Sequence, residues 1–156
     1  DGRTGYWIVE RLQAGKPRPV SVFNHSWGAS SPDAFGDWIA HIVRGGNIVI
    51  YPQWRSILQP ASQNATLNAI DSVEAALKEL TRKGHDKTDL SHFAIVGHLD
   101  GGIISANMAA VDSGRRLPIV SALMVVNPGN MMKTPRERVA LYHSLALLPG
   151  ALEHRQ

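Results

Sequence analysis

Residues 93–104 read Phe93-Ala94-Ile95-Val96-Gly97-His98-Leu99-Asp100-Gly101-Gly102-Ile103-Ile104. A short apolar run of strand length enters a glycine-rich turn, and an apolar stretch of helical length, Ile103 to Val111, leaves it. A glycine-rich turn between a buried strand and a helix has a few common uses. A dinucleotide fingerprint, G-x-G-x-x-G, fails because Leu99 holds the second glycine position. A phosphate loop finds its G-x-x-x-x-G spacing in Gly97 and Gly102, but Ile103 and Ile104 stand where Lys and Ser/Thr are needed. The nucleophile elbow, G-x-S-x-G, fits at every structural position. Gly97 and Gly101 are the small residues that let strand and helix approach, so that the central side chain projects over the sheet. That centre is Leu99, where the motif has serine.

On either side of this turn, strand and helix periods alternate. Tyr6 to Glu10 and Val20 to Asn24 read as strands, with Gly15 to Pro19 as the turn between them. Ser31 is a good N-cap with Pro32 at the first helical position. Phe35, Trp38, Ile39, Ile42 and Val43 then fall at helical spacing until Gly45-Gly46. Ile48 to Tyr51 is a continuous apolar run ended by Pro52, which suits a strand covered on both faces. Leu67, Ile70, Val73, Leu77 and Leu80 mark a second amphipathic helix. Val120 to Val126 reads as a further buried strand, ending at Asn127-Pro128-Gly129. Thr134, Pro135 and Glu137 form a capping box for a last helix running to Leu148. The alternation predicts an α/β fold: a three-layer sandwich with a mostly parallel sheet, and residues 1–156 forming a single, partial domain. Ligands of such sheets sit beyond the carboxyl ends of the strands, which singles out the corners at 24–28, 51–55 and 97–102.

Composition narrows the classes. The 156 residues are 44% apolar and 19% charged, enough for one core and against intrinsic disorder. A formal net charge of +3 without a basic run argues against a nucleic-acid binder. No apolar stretch approaches the roughly 20 residues of a membrane span, so a soluble protein is expected. Cysteine is absent, which excludes disulfides, cysteine-ligated zinc and thiol catalysis, and leaves the compartment open. The chain opens at Asp1 with no leader, which reads as a processed or partial sequence.

Three stretches together resemble the esterase and lipase branch of the α/β-hydrolases. Phe23-Asn24-His25-Ser26-Trp27-Gly28-Ala29 is similar to that family's oxyanion loop, usually His-Gly-Trp-Gly after a hydrophobic residue. Gly46 to Pro52 resembles the strand that follows, and Gly97 to Gly102 the elbow Gly-His-Ser-x-Gly-Gly. The similarity runs over about residues 5 to 130 in the family's order. It implies a small-molecule ester or lipid-like ligand, no cofactor and no metal. In the family an elbow serine attacks an ester carbonyl, a histidine takes its proton, an acid orients the histidine, and two backbone N–H groups hold the oxyanion. By position those donors are the N–H groups of Trp27 and Asp100. His25, Ser26, His98, Tyr51 and Trp54 are the expected pocket residues.

The departures matter as much. Leu99 has no lone pair with which to form an acyl intermediate. Ser26 stands where the family's loop has glycine. Downstream of the elbow the candidate acids are Asp112, Glu137 and Glu153, and the candidate bases His143 and His154, none after a recognisable strand end. Glu137 reads as a capping residue and His143 as part of a helix face. The family's strands beyond residue 126 are not recognisable in this sequence. A weakly active or inactive relative of serine ester hydrolases is therefore expected, the alternatives being a non-catalytic binding protein and a truncated domain without independent activity. Asp100 as a substitute nucleophile would put His98 where a small residue is needed, and reads better as a carboxylate at a helix N-terminus. A lone His98-x-Asp100 is weak evidence for metal. His25 reads as a structural hydrogen-bonding residue, and Trp27, Tyr51 and Trp54 serve a pocket and loop packing equally well. Two glycosylation patterns, at Asn24 and Asn64, carry little weight. The apolar strand 120–126, unguarded by Lys or Pro, is expected at a sheet edge open to self-association unless the last helix covers it.

Overall fold

Alternation along each strand decides which helices it meets. Val20 and Val22, Ile48 and Ile50, and Phe93 and Ile95 point to one side of the sheet. There they bury against Ala69, Ile70, Val73, Ala76, Ile104 and Met108. The intervening residues Phe23, Val49, Tyr51 and Val96 point to the other side, against Ile39 and Val43. Both faces are therefore apolar and both are covered, the pattern of strands in a parallel sheet. The computed structural model describes residues 5–12, 15–54 and 65–129. In chain order it contains β1 (Gly5–Val9), β2 (Arg18–Asn24), a 3-10 turn (Pro32–Phe35), α1 (Gly36–Arg44) and β3 (Ile48–Gln53). Then follow α2 (Ala65–Glu79), β4 (Thr88–His98), α3 (Asp100–Asp112) and β5 (Val120–Val126).

The sheet order is β1-β3-β2-β4-β5, parallel throughout except for β1, which runs antiparallel to β3. With α2 and α3 on one face and α1 on the other, this is the expected three-layer, mostly parallel α/β architecture. Val20↔Ile48 and Val22↔Ile50 align β2 with β3, and Asn24↔Gly97 aligns the ends of β2 and β4. The carboxyl ends of β2 and β4 thus stand side by side.

Several boundaries differ from the sequence reading. β3 does not end at Pro52 but passes through it to Gln53. Its pairing with β2 has already stopped at Ile50, so the missing N–H of Pro52 breaks no ladder on that side. β2 begins two residues early, at Arg18, and pairs with Thr88 and Asp89 before a register shift at Pro19/Val20. This shift accommodates the extra residues 90–92 of β4. Ser31 caps as expected, its hydroxyl accepting from the Asp33 N–H, but the first turn is 3-10 and α1 proper starts at Gly36. Leu67 is half exposed, and the buried stripe of α2 is built largely from alanines with Ile70 and Val73. β5 is not a buried strand: Met124 is half exposed, because β5 has only β4 as a neighbour among the described residues. The expected self-association concerns this edge. The expected last helix, with Thr134, Pro135, Glu137, His143 and Leu148, and the tail with Glu153 and His154, lie outside the described residues. No helix of the described residues is long and apolar enough to cross a membrane.

Candidate functional site

β4 hands over to α3 through one residue. His98 is the last strand residue, Asp100 the first of the helix, and Leu99 between them has φ +51° and ψ −117°. A leucine does not adopt positive φ without strain, of the order of 1–3 kcal/mol. Neighbours on both sides hold it there. The Leu99 N–H donates to the Val126 carbonyl of β5 (3.0 Å), and the Leu99 carbonyl accepts from the Gly102 N–H (2.9 Å).

The glycines explain how so tight a turn is possible. A Cβ on Gly97 would strike the Gly101 carbonyl and the Ser105 hydroxyl, and one on Gly101 would strike the carbonyls of Asn24 and His25. The first turn of α3 therefore rests directly on the backbone that leaves β2. A Cβ on Gly129, beyond the end of β5, would meet the Asp100 carboxylate first and, less closely, the backbone of Asp100 and Leu99. Leu99 ends up partly exposed at the tip. As the first helical residue, Asp100 carries one of the N–H groups that no intrahelical carbonyl takes up.

The 24–29 corner is a turn beside this tip. The Ala29 N–H donates to the Ser26 carbonyl (3.1 Å), and Gly28, with φ +80°, holds the position where a type II turn needs a left-handed residue. Trp27 sits at the crest of the turn, half exposed. Ser26 is accommodated here without positive φ, so its Cβ does not prevent the turn. His25 is nearly inaccessible, at 2%, its ring stacked between Tyr51 (centroids 5.2 Å apart) and Trp54 (4.7 Å). Its Nδ1 lies 2.8 Å from the Ser26 carbonyl, an acceptor, so Nδ1 carries the proton. Burial pushes this imidazole down to about 4, the Ser26 carbonyl offsetting only part of the effect. His25 is therefore a neutral structural donor at pH 7, too weakly basic to serve as a general base.

Of the remaining expected pocket residues, Tyr51 and Trp54 are fully buried and underlie the corner instead of opening onto it. Burial, assisted by the Asp33 carboxylate, pushes the Tyr51 phenol above its ordinary value, so it stays a donor. His98 packs edge-on against Phe35 (5.4 Å) and Trp38 (6.5 Å) at the start of α1. The tip thus brings together Leu99, Asp100 and His98 with the 24–29 corner. Asp112 is at the far end of α3, and Asn24 is fully buried, which rules it out as a glycan acceptor; Asn64 lies outside the described residues.

Two residues escaped the sequence reading. Asn24 Nδ2 donates to the buried Ser105 hydroxyl of α3 (2.8 Å), fastening the end of β2 to the helix. An asparagine closing an apolar strand was the available signal. A Ser-His-Asp set also occurs at Asp89, Ser91 and His92, but Ser91 and Asp89 both address the same nitrogen, Nδ1 (3.1 and 2.7 Å). A catalytic relay needs the two on opposite nitrogens, so this is a local turn. Among the described residues no group of three or more His, Asp or Glu side chains is placed to hold a metal ion.

Solved structures of several esterases share this fold. An esterase from Rhizomucor miehei superimposes with a TM-score of 0.65 at 17% identity, over 90% of this chain and 46% of that one. Carboxyl esterase 2 of Tuber melanosporum gives 0.60 at 15% identity, over 77% and 39%. A carboxylesterase from Nitrososphaera gargenis gives 0.57 at 20% identity, over 90% and 47%. The chain spans less than half the length of each of these structures. No curated protein matches in sequence. The chlorophyllase family model matches residues 6–143, which include the 24–29 corner and the turn at Leu99, and the chain accordingly belongs to the chlorophyllase family of α/β-hydrolases.

Proposed function

We propose that the chain binds a carboxylic ester or similar lipid-like ligand at the carboxyl end of its sheet, and that Leu99 in the nucleophile position keeps it from forming an acyl-enzyme. The backbone N–H groups of Trp27 and Asp100 are the proposed donors to the carbonyl oxygen, and they do not depend on the identity of residue 99. The observation that carries this reading is the isolated positive-φ residue between β4 and α3, with its glycine supports, in a chain of an ester-hydrolase family.

Acyl transfer at this position requires an oxygen lone pair to form the bond to the carbonyl carbon. The hydroxyl proton passes to a base, and the alkoxide leaves with a proton returned to it. Leu99 presents only C–H bonds. Asp100, one residue on, has its carboxylate packed alongside Gly129, which speaks against it as a replacement nucleophile. The chain thus uses an esterase scaffold for binding.

Two measurements test it. Incubation with a fluorophosphonate probe and with p-nitrophenyl butyrate should give neither covalent labelling nor burst kinetics. Titration with octanoate, followed through the amide resonances of Trp27 and Asp100, should saturate. Efficient turnover with a labelled residue would overturn the missing acylation step, and silent amides at Trp27 and Asp100 would overturn the site.

A further inference from the structure

The end of β3 holds the 26–31 segment from beneath by its carbonyls. The Tyr51 hydroxyl lies 2.5 Å from the Ala29 carbonyl and 3.1 Å from that of Ser31, so its single proton goes mainly to the nearer and in part to the other. Two residues along the same strand, Gln53 Nε2 reaches the Ser30 carbonyl at 3.5 Å. His25, stacked on the Tyr51 ring, takes the Ser26 carbonyl. Carbonyls 26, 29, 30 and 31 are therefore all occupied by side chains anchored in or stacked on β3. Tyr51 is itself immobilised: its ring is fully buried, stacked on Phe23 at 5.9 Å and met edge-on by Trp7 at 5.9 Å. A loop whose carbonyls are bound from within has few conformations left for its N–H groups.

We propose that Tyr51 is a positioning residue: by holding the Ala29 and Ser31 carbonyls it sets the path of the 26–31 loop, and so the placement of the Trp27 N–H relative to Leu99, without touching the ligand. The inference rests on the reading of this corner as the ester-binding site. It assigns Tyr51 a task different from lining a pocket, and different from filling the core, for which a phenylalanine would serve as well.

Tyr51→Phe separates these tasks, since it keeps the ring and removes only the hydroxyl. Amide hydrogen exchange reports the loop directly, because the Ala29 N–H is bonded within the turn to the Ser26 carbonyl. In the full chain, Y51F should speed exchange at Ala29 by about tenfold while Val22, Ile50 and Ile95 in the sheet keep their protection, the loss expected for one hydrogen bond acting locally. Octanoate should bind Y51F about tenfold more weakly than the parent chain. Tyr51→Leu, which also removes the ring, should instead loosen the sheet amides. Unchanged exchange at Ala29 in Y51F, or a uniform rise at Ala29 and in the sheet, would overturn the proposal. If octanoate fails to bind the parent chain, the ester-binding reading falls; the exchange measurement still decides the positioning role by itself.

Discussion

At the amino end of the parallel strands, charges are gathered and paired. Arg18, which opens β2, meets Asp86 at 3.0 Å, and Glu10, just beyond β1, holds both the His85 ring and the Asp86 N–H. At the carboxyl end the opposite holds. Asn24 Oδ1, His25 Nε2, Trp54 Nε1 and His98 Nδ1 are buried without a hydrogen-bond partner among the described residues, and all four residues end or directly follow β2, β3 or β4. Leu99, at positive φ, is at the same end. Each buried polar atom left unpaired costs about 1–3 kcal/mol, and the strained turn adds to that. One end of the sheet is organised by paired charges; the other carries backbone strain, which fits the ester-binding site proposed there.

That contrast can be broken in three ways, the largest effect first. If the carboxyl end is held by backbone contact between α3 and β2, Gly101→Ala should cost about 3 kcal/mol or more, because its Cβ would enter the Asn24 and His25 carbonyls. Urea unfolding reads this, and a midpoint like that of the parent chain would mean that the close approach is not there.

The second concerns acid. The unfolded His25 titrates at its ordinary 6.5 and the folded one at about 4. Above 6.5 neither state takes up the proton and stability is unaffected. As the pH falls from 6.5 the unfolded chain binds a proton that the folded chain refuses, so stability drains until about pH 4 and then levels. The full loss is about 3 kcal/mol. On acidification across this window the urea midpoint of the parent chain should fall relative to that of His25→Phe, which keeps a stacking ring and has no proton to bind. Parallel pH profiles would show that His25 is not buried as a neutral donor.

The smallest effect is a gain. Leu99→Gly relieves the positive φ, at the expense of extra chain entropy in the unfolded state and some lost packing, for a net stabilisation of about 0.5–1 kcal/mol. A lower melting temperature in this variant would place the strain elsewhere.

Much of the framework is legible in the sequence. Ile48 to Tyr51 announced a strand covered on both faces, and Ser31 with Pro32 announced a helix start, since these signals depend on neighbours within a few residues. Pro52 misled because whether a proline ends a strand depends on whether the adjoining ladder continues, and that is a property of β2. Leu67 misled because helical periodicity gives a face but not the element opposite it. β5 looked buried because its residues are apolar, although burial is decided by what lies beside a strand.

For the site, the chain dictated the turn: glycines at 97 and 101 around Leu99 permit one-residue reversal between strand and helix, and no distant residue is needed to see it. It dictated also that position 99 offers no nucleophile. The stacking of His25 between Tyr51 and Trp54, the grip of Tyr51 on carbonyls 20 and 22 positions earlier, and the Asn24–Ser105 bond across 81 positions were decided only by the folded chain. Local conformational preference is written residue by residue, whereas the partners of a buried polar atom are chosen by the sheet order that brings distant segments together.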